Sequence, residues 1–209
     1  MRRLLIAAAS VALTGLSVPL AAGAEAPPAA VQQRIPTEKS LDVDYRVQET
    51  GYWCGPAAAR IALSARTDDL PSQAELAEQL GTTENGTDHI SQVTDVLNEN
   101  LAGTNTNYVT KEMPNDPPTQ AQKDQLWNDI VTDINDGYAI VANIVAPPGN
   151  QPPGYPPGQT IYHYFTVIGY DSENMTVHIA DSASFSGNQL YWLSFDQLAS
   201  LIPPKGYSA

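Results

Sequence analysis

The main change of hydrophobic period along this chain falls close to residue 138, and it constrains the fold more than any other feature. Before it, apolar residues recur three and four apart behind cap signals. Ser72 with Glu75 makes a capping box for a helix ending at Leu80, where Gly81 is a good terminator. Thr87 or Asp88 caps another helix, with Ile90, Val93, Leu97 and Leu101 on one face. Thr119 with Gln122 forms a third box, Leu126, Ile130 and Ile134 follow at four-residue spacing, and Gly137 stops the helix. After it, YAIVANIV (138–145) is one apolar run, the length of a buried strand. HYFTVIGYD and MTVHIAD read as a hairpin around DSEN, NQLYWLS as a third strand, and Phe195 to Leu201 as one closing helix. Helices first and strands later predict an α+β fold. LDVDYRVQ alternates from Leu41 to Val47 and predicts a short edge strand before the first helix.

No disulfide supports this fold, because the chain has a single cysteine, Cys54. That is unusual beside the N-terminus, which reads as a secretory signal over residues 1–24. Arg2 and Arg3 are followed by an apolar run, and Ala22-Gly23-Ala24 fits a cleavage site. The expectation is export through general secretion, with no stable membrane insertion. Residues 25–40 are polar and proline-bearing and read as a flexible leader to a domain over 41–209. A net charge of -13 argues against nucleic acid and anionic membrane surfaces as partners. Exported domains usually use cysteines in pairs, so Cys54 is buried filler, an intermolecular link, or a working thiol.

The surroundings of Cys54 favour the last. A thiol acts as its thiolate, and a helix N-terminus or a histidine that holds the proton stabilises that form. Gly55 and Pro56 place Cys54 at the start of a helix whose body is Ala57 to Ala65. Of three histidines, His89 reads as an exposed helix-start residue, and His178 points away from the face of Val177 and Ile179. His163 begins a strand and shares a side with Phe165 and Val167. If Val167 faces Val177 and Phe165 faces Ile179, His163 faces Asp181, whose carboxylate can accept a hydrogen bond from Nδ1–H and orient the ring. The Cys54 backbone N–H and the side chain of Gln48, six residues upstream, are candidate oxyanion donors. Trp53, Tyr162 and Tyr164 are candidate substrate contacts. The histidines lack metal-ligand spacing, and no metal or cofactor is expected. APPGNQPPGYPPG (146–158) carries six prolines and three glycines and reads as a stiff surface loop rimming the site. Its deletion is expected to change substrate choice more than stability.

QETGYWCGPAA (48–58), HYFTVIGYD (163–171) and IAD (179–181), in this order, resemble the C39-like peptidase group. These are papain-like cysteine peptidases related to bacteriocin leader-processing domains. LAEQLGTTENGTD (76–88) adds to the likeness, which spans roughly residues 41–200. The resemblance implies a papain-like fold in which an N-terminal helical part, with the cysteine helix, packs on a C-terminal twisted antiparallel sheet. It implies Cys54 as nucleophile, His163 as general base and acid, Asp181 as orienting carboxylate and Gln48 as oxyanion donor. It implies a peptide or protein substrate, and a monomer is expected. Related domains commonly follow the carboxylate with proline, whereas Ser182-Ala183 stands here. A silent binding module and a transglutaminase-like acyl-transfer enzyme are the alternatives.

Overall fold

The computed structural model describes residues 35–209. The signal-sequence reading of residues 1–24 lies outside them. A seven-stranded antiparallel sheet is covered by helices on both faces. The elements are β1 (Glu38–Ser40), α1 (Cys54–Ser64), α2 (Gln73–Gln79), α3 (Ile90–Asn100), β2 (Thr110–Glu112), α4 (Gln120–Asp136), β3 (Ile140–Ala146), β4 (Ile161–Asp171), β5 (Thr176–Ala180), β6 (Leu190–Ser194), α5 (Phe195–Leu201) and β7 (Gly206–Ser208). The strand order is β2-β7-β3-β4-β5-β6, and β1 pairs with β4 off this path. This is the α+β architecture that the change of period predicts.

Two helix starts and one helix stop follow the sequence signals. Ser72 and Thr119 form their capping boxes with Glu75 and Gln122, and Gly137 closes α4 in the left-handed region at φ 87°. At α3 the cap is His89 and not Thr87 or Asp88. Its Nδ1 accepts from the Ser91 N–H, and Gln92 returns the bond. Thr87 is unavailable because its hydroxyl is bonded to that of Thr82 at 2.7 Å.

Both faces of β3 and β4 are buried, which is why YAIVANIV reads as an unbroken apolar run. Ile140, Ala142, Ile144, Phe165 and Val167 pack under α4 and α5. Ala139, Val141, Tyr164 and Ile168 pack under α1, α2 and α3. The alanines of α1 let it lie close on the sheet. Ala58 and Ala59 are fully buried, and the Thr166 hydroxyl donates to the Ala58 carbonyl at 2.9 Å.

Three readings are corrected. The edge strand is β1, at 38–40 within the stretch read as leader, and residues 41–47 form no strand. Gly169 explains the site of that pairing, since a Cβ there would stand 2.6 Å from the Lys39 carbonyl oxygen. The three-residue strands β2 and β7 have no signal above background, because such short elements carry no periodicity. The hairpin register is Val167 opposite Ile179 and Tyr170 opposite Val177, with a bulge between Val167 and Gly169. A bulge adds a residue to one strand only, which spacing alone does not reveal. Lastly, the proline-rich segment is not wholly at the surface: Tyr155 and Pro152 are buried, and Tyr155 belongs to the core under α4 and α5.

Candidate active site

Cys54 is the first residue of α1, so its N–H has no intrahelical partner and the helix dipole favours an anion there. Almost every residue after it in α1 is buried, yet Cys54 itself stays partly open to solvent. His163 and Asp181 come from β4 and from the end of β5. Extending the observed register by one step puts Phe165, not His163, opposite Asp181. A two-residue displacement keeps the same face, so the histidine still reaches the carboxylate diagonally. His163 Nε2 donates to Asp181 Oδ1 at 2.8 Å. The ring nitrogen on the carboxylate is thus Nε2, where the sequence reading assigned Nδ1. This leaves Nδ1 for the side-chain hydrogen bond between His163 and Cys54.

Asp181 is fully buried and surrounded by donors. Oδ1 also accepts from the Ala183 N–H at 3.0 Å, and Oδ2 accepts from the hydroxyls of Tyr155 at 2.8 Å and Tyr191 at 2.7 Å. Four donors occupy both oxygens of the carboxylate, an arrangement that fits its ionised, acceptor-only form. Burial pushes the Asp181 carboxyl up, but the His163 charge and these bonds outweigh it and hold it below its ordinary value.

The same pull passes to the histidine. Burial lowers the His163 pKa, but the charge and hydrogen bond of Asp181, with help from Cys54, overcome it and raise it to about 10. Burial pushes the Cys54 thiol up; the hydrogen bond and charge of His163, then the N–H groups of Tyr164 and Gly55, pull it below its ordinary value. The arrangement therefore favours a thiolate beside an imidazolium, an activated nucleophile with its proton donor in contact.

Gln48 lies between the cysteine turn and the carboxylate turn. Its backbone N–H donates to the Ser182 carbonyl at 2.9 Å, and its Oε1 accepts from the Ser182 hydroxyl at 3.3 Å. One amide hydrogen on Nε2 is donated to the Thr50 carbonyl at 2.9 Å, leaving the second for another acceptor.

A cavity of about 230 Å³ opens beside the sulfur, lined by Cys54, His163, the 85–88 loop, Asn143, Tyr162, Tyr164 and Lys205. Of the predicted substrate contacts, Tyr162 stands at its rim, 68 % exposed. Tyr164 is buried in its wall. Trp53 does not line it and instead packs edge-on against Tyr52. Nor does any residue of 146–158 line it. That loop contributes from beneath: the Tyr155 ring packs edge-on against His163 at 6.1 Å between centroids. Tyr155, Tyr191 and Asn143 are the residues that spacing missed. The one available signal was Asn143, a polar side chain inside an otherwise apolar strand. Among the described residues no cluster of three or more His, Cys, Asp or Glu side chains is placed to hold a metal ion, and no helix is long and apolar enough to cross a membrane.

Comparison with known proteins places the fold and the family. A protein from Bacillus anthracis described as a C39-like peptidase superposes with a TM-score of 0.55 at 12% identity, covering 82% of this chain and 96% of that one. The peptidase domain of Streptococcus ComA, a bifunctional ABC transporter of a quorum-sensing pathway, gives 0.50 at 18% identity, covering 80% and 98%. A double-glycine-motif protease from an AMS/PCAT transporter, solved in complex with its leader peptide, gives 0.51 at 11% identity, covering 81% and 91%. At such identities the likeness is one of fold, that of papain-like cysteine peptidases. No curated protein sequence matches the chain. The Peptidase_C39 like family matches residues 40–200, and the chain belongs to that family.

Proposed function

We propose that this protein is an exported cysteine peptidase that hydrolyses peptide bonds through Cys54, His163 and Asp181. The observation that carries the reading is the continuous contact from the Cys54 sulfur through the His163 ring to a carboxylate satisfied by four donors, opening onto a cavity. In this reading the Cys54 thiolate attacks the carbonyl carbon. The oxyanion is held by the Cys54 N–H and by the spare amide hydrogen of Gln48. The imidazolium of His163 gives its proton to the departing amine as the C–N bond breaks, leaving a thioester on Cys54. Neutral His163 then takes a proton from water, whose oxygen attacks the thioester and frees the sulfur. Asp181 holds the ring and stabilises its charged form without itself taking the proton. A peptide substrate is supported by the fold relative solved with a leader peptide bound.

The test is digestion of a broad peptide library by the wild type beside Cys54→Ala. Cleavage by the first and not the second is expected; identical product profiles end the enzyme reading and leave a silent binding module. Adding an amine nucleophile separates hydrolysis from acyl transfer, because a transferase incorporates the amine into the product. Intact-mass analysis of the protein from culture medium tests export: a chain beginning after Ala24 is expected, and retention of residues 1–24 in the cell refutes it.

A further inference from the structure

Asn143 is the one polar residue in the strand IVANIVA, and it is 5% exposed. A buried amide in such a strand is disfavoured unless its polar atoms are used. Half of it is. The Asn143 Nδ2 donates to the Tyr164 hydroxyl at 2.9 Å, and that hydroxyl donates its own proton to the Thr87 carbonyl at 3.2 Å. The chain of donors fixes the orientation of the amide. A hydroxyl that gives its single proton to Thr87 can only accept from Asn143, so Nδ2 faces Tyr164 and Oδ1 faces away. Among the described residues Oδ1 accepts no hydrogen bond, and it is not sealed from solvent. Asn143 lines the cavity beside Cys54. Opposite charges, Asp88 and Lys205, stand on the same cavity.

We propose that Asn143 is a specificity-determining residue whose Oδ1 accepts a hydrogen bond from a substrate side chain seated beside the reacting sulfur. The enzyme then prefers a neutral hydrogen-bond donor at that position, such as Gln, Asn, Ser or Thr, over an aliphatic residue. An aliphatic chain seated there covers this acceptor without pairing it, which is the kind of mismatch that sites built for a donor reject. A charged side chain gains from one of Asp88 and Lys205 and loses to the other, so neither sign is favoured. This rests on the peptidase reading and deepens it by naming the substrate class.

The test takes one peptide cleaved in the library and varies each residue flanking the scissile bond among Gln, Leu and Lys, with kcat/KM measured on the full protein. At one position the wild type should favour Gln over Leu by about tenfold. Asn143→Leu should bring that ratio to one or below, and Asn143→Asp should move the preference to Lys. Loss of the tether to Tyr164 by itself slows both peptides alike and leaves the ratio standing, so the ratio separates recognition from support. A wild-type ratio near one at every position, or a ratio unchanged by Asn143→Leu, overturns this inference while the peptidase reading stands. Failure of the wild type to exceed Cys54→Ala on any peptide overturns both.

Discussion

Replacing Asp181 by asparagine keeps the shape of the side chain and removes its charge. In the folded protein that charge faces His163 across a 2.8 Å hydrogen bond. Two unit charges about 4 Å apart interact by about 4 kcal/mol at the effective dielectric of a protein site. At 1.36 kcal/mol per unit this is about 3 pKa units, in line with a His163 pKa raised to about 10. Without the carboxylate, burial dominates and the imidazolium becomes less stable. The Cys54 thiolate then loses its counter-charge, so the thiol pKa rises. Cys54 is the single cysteine, so iodoacetamide labelling followed by mass spectrometry reads it without interference. The wild-type rate should reach its plateau below the ordinary thiol range. In Asp181→Asn the transition should move up by more than one unit, with labelling at pH 6 slowed at least about tenfold. Folding must be followed in parallel, because the hydroxyls of Tyr155 and Tyr191 lose an ionised acceptor. The cost is about 2–4 kcal/mol in urea unfolding at pH 7. The folded-state carboxyl is depressed, so this stabilisation is present above the ordinary value of 3.8 and fades as the pH falls through the lower folded value. Superimposable labelling profiles for two folded proteins would refute the claim that Asp181 sets the charge of the pair.

Three further outcomes follow from other parts of the molecule. Gln48→Ala should lower kcat by about 10²–10³-fold with little change in KM, the signature of a lost oxyanion donor; a change confined to KM argues for a ground-state contact instead. Gly55→Ala would set a Cβ against the Thr87 hydroxyl and 2.9 Å from the Thr87 Cβ. Pushing the 85–88 loop aside should cost about 1–3 kcal/mol, seen as a lower urea midpoint together with slower peptide cleavage. Asp133 has a buried Oδ2 without a partner, and burial with the charges of Asp129 and Asp136 raises its pKa to about 6. A raised carboxyl is most compatible with the fold when protonated, so stability falls as the pH rises from 3.8 through 6. Asp133→Asn should remove that penalty, adding about 1 kcal/mol above pH 6 after solvent screening, or about 3 °C in Tm, and nothing below pH 4. A gain of equal size at both pH values would show that the charge is not the cause.

The loop 146–158 shows how composition can mislead. Pro-Pro-Gly repeats predict an exposed rim, and most of the segment is exposed. Yet Tyr155 reaches under the histidine, so deleting the loop removes a core residue and a donor to Asp181. Stability should fail before specificity changes, the reverse of the expectation from sequence.

By itself the sequence determined what local chemistry can determine. Capping boxes at Ser72 and Thr119, the glycine stop at Gly137, and the switch from helical period to apolar runs depend on near neighbours, and they stand in the structure as read. The face shared by His163 and Asp181 was also legible, because strand parity survives a displacement of two residues. Only the tertiary structure decided the rest. The bulge after Val167, the choice of Nε2 for the carboxylate, the Tyr155 and Tyr191 donors and the open Oδ1 of Asn143 depend on contacts between residues far apart in the chain. No local pattern encodes them, since each exists only once the sheet has brought its strands together and the packing has fixed which polar atom is left without a partner.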